Sequence, residues 1–456
     1  MIRSVNPATG QVLACFEPHR DAQIDAALAR ADQAQRRWAR TPRAERGALL
    51  RRVAAVLRAR TPELARQITL EMGKPIIEAE SEVHQSAWVC DFYADKAAEL
   101  PDVERTAGSA RGHHPLPDPA GVLLAIMPWS DPVWRVVRCA AAALAAGNTM
   151  LLKHADNVPR CALELQAVFH AAAIDPGLFT ALLLDSAQLE SLLNDPRVAA
   201  LALTGPAPLG RPAPTHTRAE LRREALELGG SDPCIVLADA DLEAAVRAIV
   251  KACSRNAGQS CISTKRIVVE EPIADRFVGL FAQHAGALTV GDPLRRDVSI
   301  GPMARPDLRE ALHRQVHSTI AQGARLLLGG RYGEGPGFFY APTLLDHVEP
   351  EMCAACEEML GPAAAVVRVA DADAALQVGS WLDFGPGASL WAGDAARAAR
   401  LASRIESGAV FINGRVARKP RAPFGAIAPP HGGLGPGHPG GGGPADLQNA
   451  ASGSAR

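Results

Sequence analysis

The feature that most narrows the fold is a switch in hydrophobic period that begins near residue 121. Short apolar runs, GVLLAIMP, TMLLKH and VAALALTG, alternate with helix-period segments, RVVRCAAAALAAG and CALELQAVFHAAAI. The runs are apolar almost throughout, as strands buried on both faces are, and each intervening segment is long enough for a crossover helix. This alternation predicts a parallel sheet covered by helices on both sides, an α/β fold. A second block opens at CIVLADAD (234–241) and continues through KRIVVEE, a helix at 273–288, RLLLGG, AAAVVRVA and GAVFING. Two α/β domains joined near residue 230 are therefore expected, which suits a chain of 456 residues, too long for one ordinary core. Residues 21–100 hold helix-period patterns such as RGALLRRVAAVLRARTPELARQI and predict a helical N-terminal layer.

Charge narrows the partners. Lys and Arg number 48 against 49 Asp and Glu, a net charge of -1, which leaves no basic footprint for nucleic acid or an anionic membrane and points to a small molecule. MIRSVNPATG has no apolar leader core, and the longest apolar runs, at 139–147 and 197–205, are far shorter than a membrane span. A cytoplasmic location is expected. The nine cysteines are odd in number and scattered, which favours reduced thiols over a disulfide framework. Cys353 and Cys356 lack a second pair at metal spacing, and His313 and His317 are followed and separated by residues other than the Glu a zinc-protease helix needs, so no metal is expected. After about residue 425 Gly, Pro and Ser take over, and a disordered tail over 426–456 is expected.

Three segments carry candidate chemistry: LELGGSDP with Glu227, NAGQSCIS with Cys261, and PWSDP with TMLLKH upstream. Alone, each is a weak signal, since a lone cysteine is usually a small core residue. Their order and spacing, with EMGKP, AGNTMLLKHAD, LTGPAPLG, GDPL, IGPMA, FFYAPTLL, EEMLGP and ESGAVFING, resemble the NAD(P)-dependent aldehyde dehydrogenase superfamily from residue 5 to 425. MPWSDPVWRVVR, LELGGSDP and ARLLLGG look most like the bacterial succinate-semialdehyde dehydrogenases.

The resemblance implies an NAD-binding Rossmann-like domain over 1–100 and 122–229, a β-hairpin oligomerisation arm over 101–121, a catalytic α/β domain over 230–425, and a homodimer or homotetramer. It implies oxidation of a small aldehyde, with Cys261 as the nucleophile that forms a thiohemiacetal and then a thioester. Glu227 matches the general base that activates the hydrolytic water. Trp129, Lys153, Asp156, Thr204, Gly205, Gly210, Gly229 and Glu358 match cofactor-binding positions. The carboxylate of Asp156 would repel a 2′-phosphate, which favours NAD over NADP. Arg135 and Arg138, one turn apart, are the candidate partners of a substrate carboxylate, Arg138 by resemblance; two arginines on a solvated or interdomain face are the alternative.

Four positions depart from the family pattern. Ser130 stands where an Asn amide would stabilise the oxyanion, and Asp131 beside it would, if it points inward, bring a negative charge to a site of developing negative charge. Pro206, Pro208, Pro212 and Pro214 fall in the first turns of the helix expected to face the pyrophosphate, where two of them would each remove a helical hydrogen bond. Leu360 replaces an aromatic, and the closing segment decays into PFGAIAPPHGGLGPG, with the terminal strand expected to be absent. A second reading follows: an impaired paralogue that acts as a binding or assembly partner, or keeps only a residual esterase activity.

Overall fold

The computed structural model describes residues 1–99, 118–205, 223–228, 230–380, 387–405, 407, 409–416 and 448–449. A hairpin of β1 (Ile2–Val5) and β2 (Val12–Phe16) leads into four helices, α1 (Asp21–Trp38), α2 (Arg43–Ala59), α3 (Thr61–Met72) and α4 (Ile76–Glu99). These are the expected helical layer. Their apolar residues recur every three or four positions, as in α2, which buries Leu49, Leu50, Val53, Ala54 and Leu57. Gly73 ends α3 in a left-handed conformation, φ 80°, the usual use of glycine after a helix.

The first α/β block comprises β3 (Asp118–Pro119), β4 (Val122–Met127), α5 (Trp134–Ala145), β5 (Thr149–His154), α6 (Pro159–Ala171), β6 (Phe179–Leu182), α7 (Ser186–Leu193), β7 (Val198–Gly205) and β8 (Arg223–Leu228). Five strands form one parallel sheet in the order β6-β5-β4-β7-β8. Side chains alternate between its faces as strand geometry requires. Leu123, Ala125, Met127, Met150 and Leu152 join the core under α2–α4, whereas Val122, Leu124, Leu151 and Leu201 pack with Ile24, Leu28 and Ala31 of α1.

The second block comprises β9 (Pro233–Val236), α8 (Leu242–Ser254), β10 (Arg266–Glu270), α9 (Glu271–Gly286), α10 (Pro306–Ala321), β11 (Arg325–Leu328), β12 (Thr343–Asp346), α11 (Cys353–Cys356), β13 (Ala363–Val369), α12 (Ala372–Gly379), β14 (Ala388–Trp391), α13 (Ala395–Ala402) and β15 (Val410–Ile412). Its sheet runs β11-β12-β13-β10-β9-β14-β15, parallel except at β11–β12. The helix expected at 273–288 starts two residues earlier, because Glu271 and Pro272 already occupy its first turn. A last two-residue strand, β16 (Gln448–Asn449), pairs antiparallel with β3, inside the segment expected to be a disordered tail. Most of the expected hairpin arm, the prolines from Pro206 to Pro214, and the rest of the Gly/Pro tail lie outside the described residues.

The strand order locates the site. From β4 the chain moves outward to β5 and β6, then returns to the other side of β4 for β7 and β8. Ligands of open parallel sheets bind where such a reversal leaves a crevice at the carboxyl ends of the strands. Here those ends are Pro128–Asp131 after β4, Thr204–Gly205 on β7, and Lys153–His154 on β5.

Candidate active site

Cys261 follows α8 through an unusual backbone. Asn256, Ala257 and Gly258 all have left-handed φ, 53°, 52° and 67°, which a β-carbon disfavours and which persists only when neighbours fix it. Those neighbours are present. The Asn256 N–H donates to Glu78 Oε2 of α4 at 2.8 Å, and its Nδ2 donates to the Ser130 carbonyl at 2.9 Å and to the Gln259 carbonyl at 3.1 Å. Gln259 in turn accepts from the Ala304 N–H at 2.8 Å and donates to the Asn256 carbonyl at 3.2 Å. A Cβ on Gly258 would collide with the Gly361 carbonyl and Lys265 Nζ, so this glycine has no substitute. The loop presents Cys261, half-buried, to the end of the first sheet.

Arg135 of α5 meets it there. Its Nη2 donates to Cys261 Sγ at 3.2 Å, and the side chain is almost fully buried. Asp131, one turn earlier, lies 3.8 Å from Arg135 Nε and accepts from Lys74 Nζ at 2.8 Å; Lys74 also pairs with Glu82 of α4. Burial pushes the Asp131 carboxyl up, but Lys74 and Arg135 beside it overcome that and hold it down at about 2. The Lys74 ammonium, though burial lowers it, is raised by Asp131 and Glu82. Asp131 therefore does not stand as a free negative charge beside Cys261: two cations, Lys74 and Arg135, neutralise it.

Arg135 and Arg138 are not equivalently placed. Arg135 is committed to Cys261 and Asp131, while Arg138 sits one turn further along α5, half-buried. The Ser130 carbonyl accepts the Asn256 amide, which ties the β4–α5 loop to the Cys261 loop.

Of the cofactor-binding candidates, Trp129, Lys153, Thr204 and Gly205 lie at or just after the carboxyl ends of β4, β5 and β7. Trp129 is buried in the main core and follows β4. Lys153 Nζ, at the end of β5, donates to Asp156 Oδ1 at 2.5 Å; the Lys is mostly covered and the Asp side chain is 70% exposed, so its carboxylate is open to ribose hydroxyls. Thr204 and Gly205 end β7, in register with Glu227 and Leu228 of β8, which places the Glu227 backbone at the sheet's carboxyl edge. Glu358 accepts from the Gly230 N–H, and its carboxyl is raised by burial against the pull of that bond, Arg135 and Lys265. Gly210 and Gly229 lie outside the described residues. A covered Lys153 paired with an exposed Asp156 carboxylate at one strand end, and a half-buried Glu358 carboxylate within the field of Arg135, suit a dinucleotide's two riboses, so the donor set fits NAD(P). No group of three or more His, Cys, Asp or Glu side chains that could hold a metal ion occurs among the described residues.

Several residues carried no role in the sequence reading. Lys74 lies in EMGKP, in the turn between α3 and α4, and Glu82 lies two turns into α4; a lysine in a short turn between two helices that each bury an apolar face was the available signal. His154 donates from Nε2 to the Pro132 carbonyl at 2.9 Å and accepts the Ala155 N–H on Nδ1 at 2.9 Å, joining β5 to the PWSDP loop. Lys265, fully buried, donates to the Gly361 carbonyl beneath Gly258, and burial lowers its ammonium to about 8.

Comparison with known proteins agrees with this geometry. The model of the aldehyde dehydrogenase family matches residues 1–428. The chain is 43% identical over 424 residues to the Escherichia coli succinate semialdehyde dehydrogenase Sad, covering 93% of this chain and 92% of that protein. It is 42% identical over 426 residues to a probable NADP-dependent succinate-semialdehyde dehydrogenase of Synechocystis, covering 93% and 94%. Among solved structures, the Streptococcus pyogenes succinic semialdehyde dehydrogenase bound to NADP+ superposes with a TM-score of 0.91 at 30% identity and 94% coverage of both chains. A structure of Gox0499 gives 0.91 at 34% identity, again with 94% coverage of both. None of these matches supports the reading as an assembly partner. With likeness in sequence and in backbone over almost its whole length, the chain belongs to the aldehyde dehydrogenase family, oxidoreductases that convert aldehydes to acids with NAD(P).

Proposed function

We propose that the substrate is succinate semialdehyde or a close ω-carboxylated aldehyde. The observation that carries this is the position of Arg138 on α5, one turn beyond Arg135, whose guanidinium meets the Cys261 sulfur. A four-carbon semialdehyde held by its aldehyde carbon at Cys261 extends its carboxylate along α5, where a planar guanidinium can bind it through two hydrogen bonds. Arg138 has that role. Relatives named for the same aldehyde support the reading.

In this reading Cys261 adds as thiolate to the aldehyde carbon, and the resulting thiohemiacetal is oxidised to a thioester on the same sulfur. When bound, the nicotinamide supplies the two-electron acceptor. Lys153 and Asp156 hold the adenosine ribose and Glu358 the nicotinamide ribose, while Trp129, Thr204 and Gly205 shape the crevice; Gly210 and Gly229 match cofactor-binding positions by resemblance alone. Glu227 then takes the proton of the water that hydrolyses the thioester. Ser130 and the Cys261 amide donate to the oxyanion. Asp156, a carboxylate, favours NAD over NADP, since a 2′-phosphate beside it would be repelled.

The test is formation of NADH and NADPH from succinate semialdehyde and from butanal. Wild type should prefer the semialdehyde, Cys261→Ala should lose both activities, and Arg138→Ala should raise KM for the semialdehyde at least about tenfold with butanal little changed, the cost of one charged hydrogen bond. Equal KM for the two aldehydes in wild type would overturn the substrate assignment.

A further inference from the structure

We propose that Arg135 is a catalytic residue that stabilises the oxyanion formed at Cys261, and that Asp131 is its positioning residue. The claim rests on the reading of Cys261 as nucleophile, and the experiment below separates the two.

The argument begins with where the charge develops. When the thiolate pair forms the S–C bond, the carbonyl π pair moves to oxygen, and that oxygen is then two covalent bonds from Sγ. An effective donor must lie about 2.7–3.1 Å from the oxygen's new position. Arg135 Nη2 is already 3.2 Å from Sγ, so the region it addresses is the region in which the oxyanion appears. A guanidinium presents its N–H groups in a fixed plane, and the Nη2–H that bonds the free sulfur can turn to the adjoining oxygen once the S–C bond has taken the sulfur's electron pair.

The support behind Arg135 suits a fixed donor better than a ligand clamp. Its side chain is 5% exposed, and Asp131, Lys74 and Glu82 form a continuous buried chain of alternating charge behind it. Glu82 is held in turn by the N–H groups of Val133 and Trp134 at 2.8 and 2.9 Å, at the start of Arg135's own helix. Such an arrangement is set before the substrate arrives, which is what makes a donor effective in the transition state. A guanidinium that had to reach a carboxylate four carbons away would have to leave the sulfur and Asp131. Ser130 next to it has a shorter, uncharged side chain, whereas Arg135 of the same β4–α5 segment brings a charged donor to 3.2 Å from Sγ.

The decisive substrate is a neutral ester, p-nitrophenyl acetate, hydrolysed with no cofactor present. There the Cys261 thiolate forms the S–C bond, the π pair moves to oxygen, and its return expels nitrophenolate, so the same oxyanion forms without hydride transfer and without a carboxylate. Arg135→Gln should lower kcat for this ester by about 10²–10³-fold, with KM little changed, and should lower kcat for butanal and succinate semialdehyde alike. Arg135→Lys should recover part of the loss. Asp131→Asn should give a smaller fall in kcat with KM unchanged. If removing one buried charge prevents folding, the paired variant Asp131→Asn/Arg135→Gln leaves no unpaired ion, and the loss should remain in it. Unchanged ester and butanal turnover in a folded Arg135→Gln enzyme, with KM raised for the semialdehyde alone, would overturn the proposal and make Arg135 a carboxylate ligand. Ester turnover that survives Cys261→Ala would instead refute the nucleophile assignment beneath it.

Discussion

At the scale of single residues, His154 shows how a group without a chemical role can still govern the site. It is fully buried at the end of β5, hydrogen-bonded as a neutral ring to the Pro132 carbonyl and the Ala155 N–H. Burial lowers its pKa from 6.5 to about 4, and nearby Lys153 adds to the effect while the carbonyl contacts oppose it. The folded pKa is thus depressed below the unfolded value. Above pH 6.5 both states are neutral and the stability is intact; as pH falls from 6.5 towards 4 the unfolded chain binds a proton the folded one refuses, and stability is lost. The limit of that loss is of order 3 kcal/mol. His154→Gln removes the titration, so the stability gap between wild type and variant in urea melts should shrink as pH is lowered from 7 to 4.5. A gap that stays constant would mean the imidazole is not held neutral. The PWSDP loop that carries Ser130 and Asp131 would loosen over the same interval, because Pro132 is His154's partner.

Among elements, the helices under the first sheet start in a way the sequence conceals. Neither α5 nor α6 is capped by its own side chain: their N-cap residues are Val133 and Val158. The caps come from the N-terminal helical layer. Glu82 of α4 accepts the N–H groups of Val133 and Trp134, and Glu71 of α3 accepts those of Arg160 and Cys161 at 3.0 and 2.8 Å, as well as the Ser4 hydroxyl at 2.6 Å. Two buried carboxylates therefore do what a Ser or Asp does locally elsewhere. Glu71→Leu would strand two buried N–H groups and cost about 1–3 kcal/mol for each, with kcat unchanged, whereas Glu71→Gln keeps one acceptor and should cost less. Chemical denaturation checks it; equal stability of the Leu and Gln variants would refute the capping role. The same contrast explains what could be read in advance. Strands β4, β5 and β7 were legible because doubly buried strands are apolar throughout, and the Cys261 and Glu227 motifs because their order was distinctive. The caps were not, since the partner lies 51 to 90 residues upstream and no local rule points to it. Likewise the helical spacing of Arg135 and Arg138 made them look equivalent; Asp131, read only as a stray charge, is what separates them.

For the whole molecule the question is whether the two sheets unfold together. The Cys261 loop belongs to the second block, yet Asn256 is held by Glu78 and Ser130 of the first, and the Ile76 N–H donates to the Pro293 carbonyl at 2.8 Å. Arg296 forms a two-bond pair with Glu80 at 2.8 and 3.0 Å, which its exposure makes worth little, so the buried contacts carry the coupling. Gly73 and Gly301 approach so closely that a Cβ on either would strike the other segment. Because these bridges converge on the α3–α4 turn and the Cys261 loop, opening one block exposes backbone groups of the other, and a single cooperative transition is expected. The cysteines provide a reporter for each block. Cys90, Cys139 and Cys161 are buried in the first and Cys234 and Cys253 in the second, whereas Cys15, Cys261, Cys353 and Cys356 reach solvent. Burial also pushes the Cys234 and Cys253 thiols up to about 12, which slows alkylation of the native state further. Iodoacetamide should thus label at most the four accessible sites in the native protein, and the five protected ones should become reactive at one common urea concentration, read site by site by mass spectrometry. Exposure of Cys234 and Cys253 at a lower concentration than Cys90, Cys139 and Cys161 would show that the catalytic loop is not the bridge between blocks, and that Arg135 and Cys261 are brought together by two independently stable halves.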